Sequence, residues 1–428
     1  MKKTLQKNHI KKEVLAGLTT FIASVYIIIT NALILSDAGI SQDAAMIATI
    51  FTCTLSTILM GIFSDTPFVV VPGMGINSLF TYTIVNSMGL SWQDALGAVF
   101  VSGIIFTIIA STKLTKILLK SIPSNLKQSI TVGVGFFIFF IGLQKSGIVV
   151  SNENTLIGFG NISNKETLIS LITLFIILIL YIKNINSGLL IGIVIGTLLS
   201  LIIGIIDLNN LSMTMFNISE FKEVFLGMRF EKILTVPFLV SVFSITIVII
   251  FENMGILYGQ MDAIDKLDNF QRPFSILGIS NMIAGLFGTS PTIVAAENFS
   301  GISVGGRGKI AAFTSGILFL LSLFLIPILK LIPNSVISSV LIFIGILMIQ
   351  TFFDIEKGET TNVISMILII TLIPFTYNIV NGIALGFITD TILKVSSGKR
   401  KEVSITMYIL TLLFILSFIM NIFIGVSH

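Results

Sequence analysis

Residues 61–77 read GIFSDTPFVVVPGMGIN, and residues 285–301 read GLFGTSPTIVAAENFSG. The two stretches match at glycine, phenylalanine, threonine or serine, proline and two β-branched positions, always 224 residues apart. In each stretch a proline precedes a short run of extended character, which is too short to cross a bilayer as a helix. The pair therefore predicts two interrupted membrane crossings in corresponding positions of an internal repeat.

The whole chain has the composition of a protein that lies in lipid. Hydrophobic residues make up 54% of its 428 residues and charged residues only 11%, whereas soluble domains carry roughly 25% charged residues. Apolar runs of about 17 to 25 residues recur along the length, and each can cross the hydrocarbon as a helix. The sequence predicts an all-α polytopic membrane protein, not a β-barrel, which would need short alternating segments.

The apolar runs form two sets of seven. The first repeat covers residues 14–207 and the second covers residues 233–395, and the sequence leaves open whether 404–425 is one more crossing. Because seven is odd, the second set must be inverted relative to the first. Other residues match in the same order along the two halves: Asn31 with Asn253, Ser102 with Ser315 and Gly103 with Gly316.

Each crossing has an expected range. Those of the first set are 14–35, 43–62, 74–87, 93–112, 126–148, 167–184 and 187–207. Those of the second set are 233–257, 272–288, 296–304, 308–330, 334–352, 360–377 and 378–395. The interrupted stretches fall at the third and tenth crossings, where we expect short strands.

Basic residues indicate which ends of the crossings face the cytoplasm. With the amino terminus inside, the connections after even-numbered crossings are also inside, and these carry Lys113, Lys183 and Arg307. This agrees with the positive-inside rule, although the connection 208–232 holds three basic residues on the other side. We expect a multi-pass protein of the plasma membrane with a cytoplasmic amino terminus.

Two acidic residues, Glu252 and Glu297, lie deep within apolar stretches, and each is followed by asparagine. A carboxylate at membrane depth costs roughly 2.5 to 3.5 kcal/mol on insertion scales, so such residues usually face a cavity and handle a substrate or a proton. Glu297 stands where a half-helix begins, and its counterpart in the first half is Gly73. The alternatives are stabilisation of a helix end by Glu297 and a packing hydrogen bond by Glu252.

Metal and catalytic chemistry have little support in the sequence. The two histidines, His9 and His428, lie at the extreme ends, and Cys53 is the single cysteine. A histidine-based metal or catalytic site within the membrane is therefore excluded. We expect no cofactor, no metal, no nucleic-acid partner and no enzymatic activity.

Several motifs resemble those of the AzgA-like purine permeases, which belong to the nucleobase:cation symporters of the xanthine and uracil permease type. The motifs are Ala16-Gly17-Leu18-Thr19-Thr20-Phe21, Pro72-Gly73-Met74-Gly75-Ile76-Asn77, Gly89-Leu90-Ser91-Trp92 and Pro374-Phe375-Thr376-Tyr377. The resemblance covers nearly the whole chain. It implies fourteen helices in two inverted sevens, with a core domain of crossings 1 to 4 and 8 to 11 and a gate domain of crossings 5 to 7 and 12 to 14.

The resemblance also implies a site. The family's acid in the eighth crossing falls on Glu252, and its glutamate in the tenth falls on Glu297. Backbone groups of Gly73, Met74, Gly75 and Ala296 would complete the binding site. We add the side chains of Asn77 and Asn298, for which packing between helices is an equal alternative.

The expected function is import of a nucleobase, foremost a purine, by proton symport with alternating access. A nucleobase presents N–H donors and carbonyl acceptors on one edge, which a carboxylate and backbone amides can satisfy together. Glu297 would hold the base and Glu252 would carry the coupling proton. Two alternatives stay open: a uracil or xanthine permease, which the acid of the eighth crossing favours, and an anion transporter of the same fold, which Glu297 disfavours. The sequence also leaves open a homodimer in the lipid bilayer.

Overall fold

Helices dominate this computed structural model, which describes residues 2–112, 115, 123–185, 187–206, 218–355 and 359–424. The helices of the first half are α1 (Lys2–Ser24), α2 (Ile27–Ser36), α3 (Gln42–Ser64), α4 (Met74–Ser78), α5 (Trp92–Ser111), α6 (Ser124–Lys145), α7 (Lys165–Ile182) and α8 (Gly188–Ile202). A short helix, α9 (Ile218–Val224), precedes the second half. Beyond α4 the chain continues directly as a π-helix, Leu79–Ser87.

The second half contains the longest helix and the last one. Its helices are α10 (Val236–Ala263), α11 (Gln271–Phe287), α12 (Asn298–Val304), α13 (Lys309–Leu321), α14 (Ile326–Leu329), α15 (Asn334–Gln350), α16 (Thr360–Thr376), α17 (Ile379–Ser396) and α18 (Ile405–Ile424). Helices thus occupy all the expected crossing ranges.

Nine helical segments within the described ranges are long and apolar enough to cross a membrane, and three shorter helices are also apolar. Two of the segments join neighbouring helices, α1 with α2 and α13 with α14. The third and tenth crossings are shorter because the chain is interrupted within them, and the three shorter apolar helices are α8, α16 and the described part of α18. The prediction of an all-α polytopic protein is confirmed.

The helices pack as two groups. One group forms around α3 and α11, which contact each other and pack against α5 and α13. The other group forms around α6 and α15, which lie along each other and pack against α7 and α16. These groups hold the crossings that we assigned to the core and gate domains.

Glycine allows the two central helices of the second group to approach closely. A Cβ atom on Gly135 of α6 would lie 2.7 Å from the Cβ atom of Met348, and one on Gly345 of α15 would lie 2.6 Å from that of Phe139. Small residues at helix interfaces permit such contact between backbones within a membrane.

Short strands lie in both interrupted crossings, as predicted. Strand β1 (Val70–Pro72) pairs antiparallel with β4 (Thr292–Val294), and all six residues are buried. The register places Val70 opposite Val294. These two valines are also the matching positions of the 224-residue repeat.

A second pair of strands was not predicted. Strands β2 (Val149–Asn152) and β3 (Leu156–Phe159) form an antiparallel hairpin between α6 and α7. The turn is closed by Asn152, whose Oδ1 accepts hydrogen bonds from the backbone N–H groups of Asn154 and Thr155. This local use of an asparagine side chain is a turn signal that the sequence analysis overlooked.

Two charged residues near helix ends, Lys145 and Asp390, form ion pairs, and Asp390 is buried. Its carboxylate is 1% exposed and forms an ion pair of 2.8 Å with Lys394, one turn later in α17. Lys145, at the end of α6, instead pairs with Asp37 at 2.7 Å and retains 23% side-chain exposure.

Candidate functional site

Amide side chains complete the hydrogen bonding of the two short strands. Buried backbone groups need partners because hydrocarbon supplies none. Asn298 accepts a hydrogen bond from Val69 N–H at 2.9 Å and donates to the Val69 carbonyl at 3.2 Å. Asn281 does the same for Thr292, at 2.9 Å and 3.0 Å. The strands are therefore held from the side by the helices around them.

Helix α10 supplies two more of these partners to the second strand. Asn253 Oδ1 accepts from Val294 N–H at 2.8 Å, and Gln260 Nε2 donates to the Ala295 carbonyl at 2.7 Å. Gln260 Oε1 also accepts from Asn298 Nδ2 at 3.1 Å. Because Asn253 and Gln260 are seven residues apart, they lie on one face of the helix.

Asn298 belongs to this packing network. Its side chain is 1% exposed and its amide contacts Val69 and Gln260. The packing alternative offered for this residue is therefore the one that its hydrogen bonds favour, and its direct contact with substrate stays a prediction.

Glu297 stands between β4 and α12, as its position in the sequence predicted. Its Oε1 atom accepts a hydrogen bond of 2.6 Å from the hydroxyl of Tyr26. The side chain makes no capping hydrogen bond to the first turn of α12. The hydrogen bond of the carboxylate therefore goes to another crossing, and stabilisation of its own helix end would act through charge alone.

Tyr26 reaches Glu297 from an irregularity in the first crossing. The regular helix stops after Ser24 and resumes at Ile27. At the restart, Ile29 N–H and Thr30 N–H both donate to the Tyr26 carbonyl at 3.1 Å. The tyrosine is buried, so this break places one phenol hydroxyl beside a carboxylate inside the bundle.

Glu252 lies in the middle of α10 and is half-buried. Its two carboxylate oxygens are 3.6 and 3.7 Å from where a Cβ atom on Gly75 would be. Within the described ranges its side chain has no hydrogen-bond or ion-pair partner. The carboxyl group therefore borders the first turn of α4 and is available to a ligand or a proton.

The first interrupted crossing contributes mainly backbone groups around Gly73 and Gly75. Gly73 N–H donates to the Pro291 carbonyl at 3.2 Å, and Met74 begins α4. A Cβ atom on Gly75 would lie 2.8 Å from Cγ1 of Val134 on α6, so the helices meet tightly there. Any larger residue would displace the wall that faces Glu252.

Asn77 is buried in the same half-helix. Its backbone N–H donates to the Gly73 carbonyl at 2.8 Å. Both polar atoms of its side chain lack a hydrogen-bond partner in the described part of the chain. An unpaired buried amide is costly, which makes Asn77 a group that a polar ligand would satisfy.

Open space lies next to both glutamates. Gly255 follows Glu252 by three residues, is exposed, and has no atom within 4 Å of an added Cβ position. Ala296, immediately before Glu297, is also exposed. Both carboxyl groups therefore have neighbours that border accessible space.

The chemistry of this region is that of recognition. Among the described residues there is no group of three or more histidine, cysteine, aspartate or glutamate side chains that could hold a metal ion. The region contains the Glu297 carboxylate with the Tyr26 phenol, together with the Glu252 carboxyl group and the Asn77 amide, neither of which has a side-chain partner in the described ranges. These groups can bind a polar, uncharged ligand through hydrogen bonds.

Two residues of this region were missed as functional candidates. No local sequence pattern connects Tyr26 to Glu297, which lies 271 residues later. Gln260 had a usable signal: it shares a helix face with Asn253 in an apolar segment, and polar residues in such segments usually bond across helices.

A membrane bundle in which two broken crossings pair through short strands beside carboxyl groups is typical of a membrane transport protein. The chain belongs to the Permease family, whose model Xan_ur_permease matches residues 11–385. It is thus a permease and not an enzyme.

Relatives that are named as transporters or permeases are similar over most of the chain. The nucleobase transporter PlAzg2 of Paenibacillus larvae is 38% identical over 89% of this chain and 76% of its own. The adenine permease AdeP of Escherichia coli is 33% identical, over 96% and 93%. The guanine/hypoxanthine permease PbuO of Bacillus subtilis is 32% identical, over 96% and 97%. The predicted family is confirmed.

Solved structures share the fold at low sequence identity. The transmembrane domain of the cyanobacterial bicarbonate transporter BicA superposes with a TM-score of 0.68 at 16% identity, covering 88% of this chain and 97% of that one. The murine anion transporter Slc26a9 gives 0.64 at 13%, covering 91% and 69%. At such identities the similarity establishes the fold alone.

Proposed function

We propose that this permease carries a nucleobase across the membrane, foremost a purine. The relatives named above support this, because they are called nucleobase, adenine and guanine/hypoxanthine transporters. The observation that carries the proposal is a pair of glutamates beside the interrupted crossings: Glu297, which has a tyrosine partner, and Glu252, for which the described residues supply none. A flat, neutral heterocycle suits that combination of acceptors and donors.

In this proposal Glu297 holds the N–H edge of the base. The Tyr26 hydroxyl fixes the carboxylate by donating to Oε1, which leaves Oε2 free to accept from the ligand. The backbone of Gly73, Met74, Gly75 and Ala296 lines the opposite edges. Hydrogen bonds to a charged group are worth roughly 1.5 to 3 kcal/mol each, so the carboxylate would supply much of the affinity.

Glu252 carries the coupling proton in this proposal. Its carboxyl group lies beside α4 without a partner in the described residues, and intramembrane acids of this kind form proton relays in transporters. Exchange of Glu252 for glutamine should leave downhill entry of base and abolish accumulation driven by an imposed pH gradient. Accumulation that still follows the pH gradient in Glu252→Gln would assign the proton to another group.

Two inverted repeats, 14–207 and 233–395, underlie the proposed alternating access, with 404–425 outside both. The strand register supports the inversion: an antiparallel pair in which equivalent residues, Val70 and Val294, stand opposite each other is what a two-fold axis between them produces. The two groups of helices would then move against each other as core and gate, with the site between them.

One contact between these groups lies away from the strands. Lys145 of α6 pairs with Asp37, which follows α2, and Asp37 also accepts a hydrogen bond of 2.7 Å from Tyr82. The basic residues near the ends of the crossings support a cytoplasmic amino terminus in the plasma membrane. With that orientation, the ion pair would close the external end.

Uptake of radiolabelled bases into proteoliposomes, with and without an inward proton gradient, tests the proposal. Competition by unlabelled adenine, guanine, hypoxanthine, xanthine and uracil separates a purine permease from the uracil or xanthine alternative. Strong competition by uracil alone would favour that alternative.

An anion transporter is the second candidate, since the structural neighbours BicA and Slc26a9 are named for bicarbonate and anions. Glu297 at the start of a half-helix opposes an anionic ligand by charge. Bicarbonate uptake without base uptake in the same vesicles would decide for this candidate.

A further inference from the structure

A groove of about 560 Å³ lies on the first helix group, away from the glutamates. Three helices meet there: α3 and α5 end at it, and α11 begins at it. Since the ends of crossings lie near the boundary between hydrocarbon and lipid headgroups, the groove spans that boundary.

The walls of the groove are apolar. They are formed by Leu59 and Phe63 from the last turns of α3 and by Ile276 and Ile279 from α11. Phe63 is 61% exposed and Ile279 is 40% exposed, so the groove opens to the outer surface of the bundle. In a membrane protein that surface contacts lipid tails, and the walls suit an acyl chain.

The mouth of the groove is polar. Ser111 ends α5, while Gln271, Arg272 and Ser275 form the first turns of α11. The serine hydroxyls are engaged, since Ser111 donates to Ser275 at 3.4 Å and Ser275 donates to the Gln271 carbonyl at 2.9 Å. The serine hydroxyls at the mouth therefore already donate hydrogen bonds within the protein, and Arg272 is the positively charged residue beside them.

That cation, Arg272, is exposed and has no ion-pair or hydrogen-bond partner among the described residues. Asp268 precedes it by four residues but forms no salt bridge with it. A guanidinium group matches phosphate geometry with two parallel hydrogen bonds.

We propose that this groove binds an anionic phospholipid, with an acyl chain between α3 and α11 and the phosphate on Arg272. Basic pockets between membrane helices are a recurrent way of holding such headgroups. The site is separate from the glutamates, so the proposal does not depend on the substrate that the permease carries.

The test uses purified full-length protein, stripped of lipid and titrated with dioleoyl phosphatidylglycerol or dioleoyl phosphatidylcholine, with bound lipid counted by native mass spectrometry. Arg272→Ala removes the cation, and Ile279→Trp fills the groove. Arg400→Ala is the matched control, because Arg400 is also exposed but lies after α17. Arg272→Gln replaces Arg272→Ala if the alanine variant elutes as an aggregate.

We expect the wild type to prefer phosphatidylglycerol, and Arg272→Ala to bind it about fivefold more weakly while its binding of phosphatidylcholine is unchanged. Ile279→Trp should weaken binding of both lipids, and Arg400→Ala should match the wild type. Equal binding of the two lipids by the wild type, or unchanged phosphatidylglycerol binding in Arg272→Ala, would overturn the proposal. Displacement of the lipid by millimolar inorganic phosphate would instead identify a site for a soluble anion and would equally overturn it.

Discussion

The two interrupted crossings share the same order of backbone elements and differ in their side chains. In each, a proline is followed by a three-residue strand and then a half-helix, and the strands pair with each other. Where the first crossing has Gly73, the second has Glu297. The repeat thus forms a symmetrical pair of strands and half-helices. The exchange of glycine for glutamate makes the two sides different, with backbone on one side and an acid on the other for an asymmetrical ligand.

Glu297→Gln should have the largest effect of any exchange at these crossings. Loss of the charged acceptor for the N–H edge of the ligand costs up to about 3 kcal/mol, which corresponds to a loss of about a hundredfold in uptake. Initial rates of labelled purine uptake measure it. Glu153→Gln, in the exposed turn of the hairpin, serves as the control, and uptake near wild type in Glu297→Gln would remove the acid from the site.

Asn298→Ala tests whether the residue after Glu297 stabilises the strands or binds the ligand. Its removal leaves Val69 N–H and its carbonyl without that side-chain partner, at a cost of roughly 2 to 3 kcal/mol. We expect a lower melting temperature of the purified protein with an unchanged KM for the folded fraction. A raised KM at unchanged melting temperature would show that Asn298 contacts the substrate after all.

Gly75→Ala tests the close contact at the half-helix of the first interrupted crossing. The new methyl group would lie 2.8 Å from Val134 Cγ1 and close to the Glu252 carboxylate, so we expect about a tenfold loss of uptake, in the range of overpacking costs. The matched control is Gly255→Ala, which enters open space.

A second substitution shows whether the loss of uptake in Gly75→Ala comes from its contact with Val134. Val134→Ala in the Gly75→Ala background should recover part of the lost uptake. Equal losses in Gly75→Ala and Gly255→Ala would show that close contact at Gly75 is not the reason.

Tyr26→Phe should have the smallest effect of the four. It removes one hydrogen bond to Glu297 and leaves the carboxylate in place, so we expect about a fivefold loss of affinity, equivalent to roughly 1 kcal/mol. Equilibrium binding of labelled base measures the change. A loss as large as that of Glu297→Gln would mean that the phenol itself holds the ligand.

The crossings and the two paired strands were largely predictable from sequence, because the length of an apolar run and the position of a proline are local signals. Residues 61–77 and 285–301 located both strands, and the acid at Glu297 was placed correctly before its half-helix. Tyr26 was missed because its partner depends on how distant helices pack, whereas Gln260 was missed although it shares a helix face with Asn253.

The role of the two glutamates is tested most directly by equilibrium binding of labelled purine to purified wild type, Glu297→Gln and Glu252→Gln, paired with pH-driven uptake of the same variants. The account predicts no measurable binding by Glu297→Gln, and near wild-type binding by Glu252→Gln with no accumulation. Wild-type binding by Glu297→Gln would contradict it.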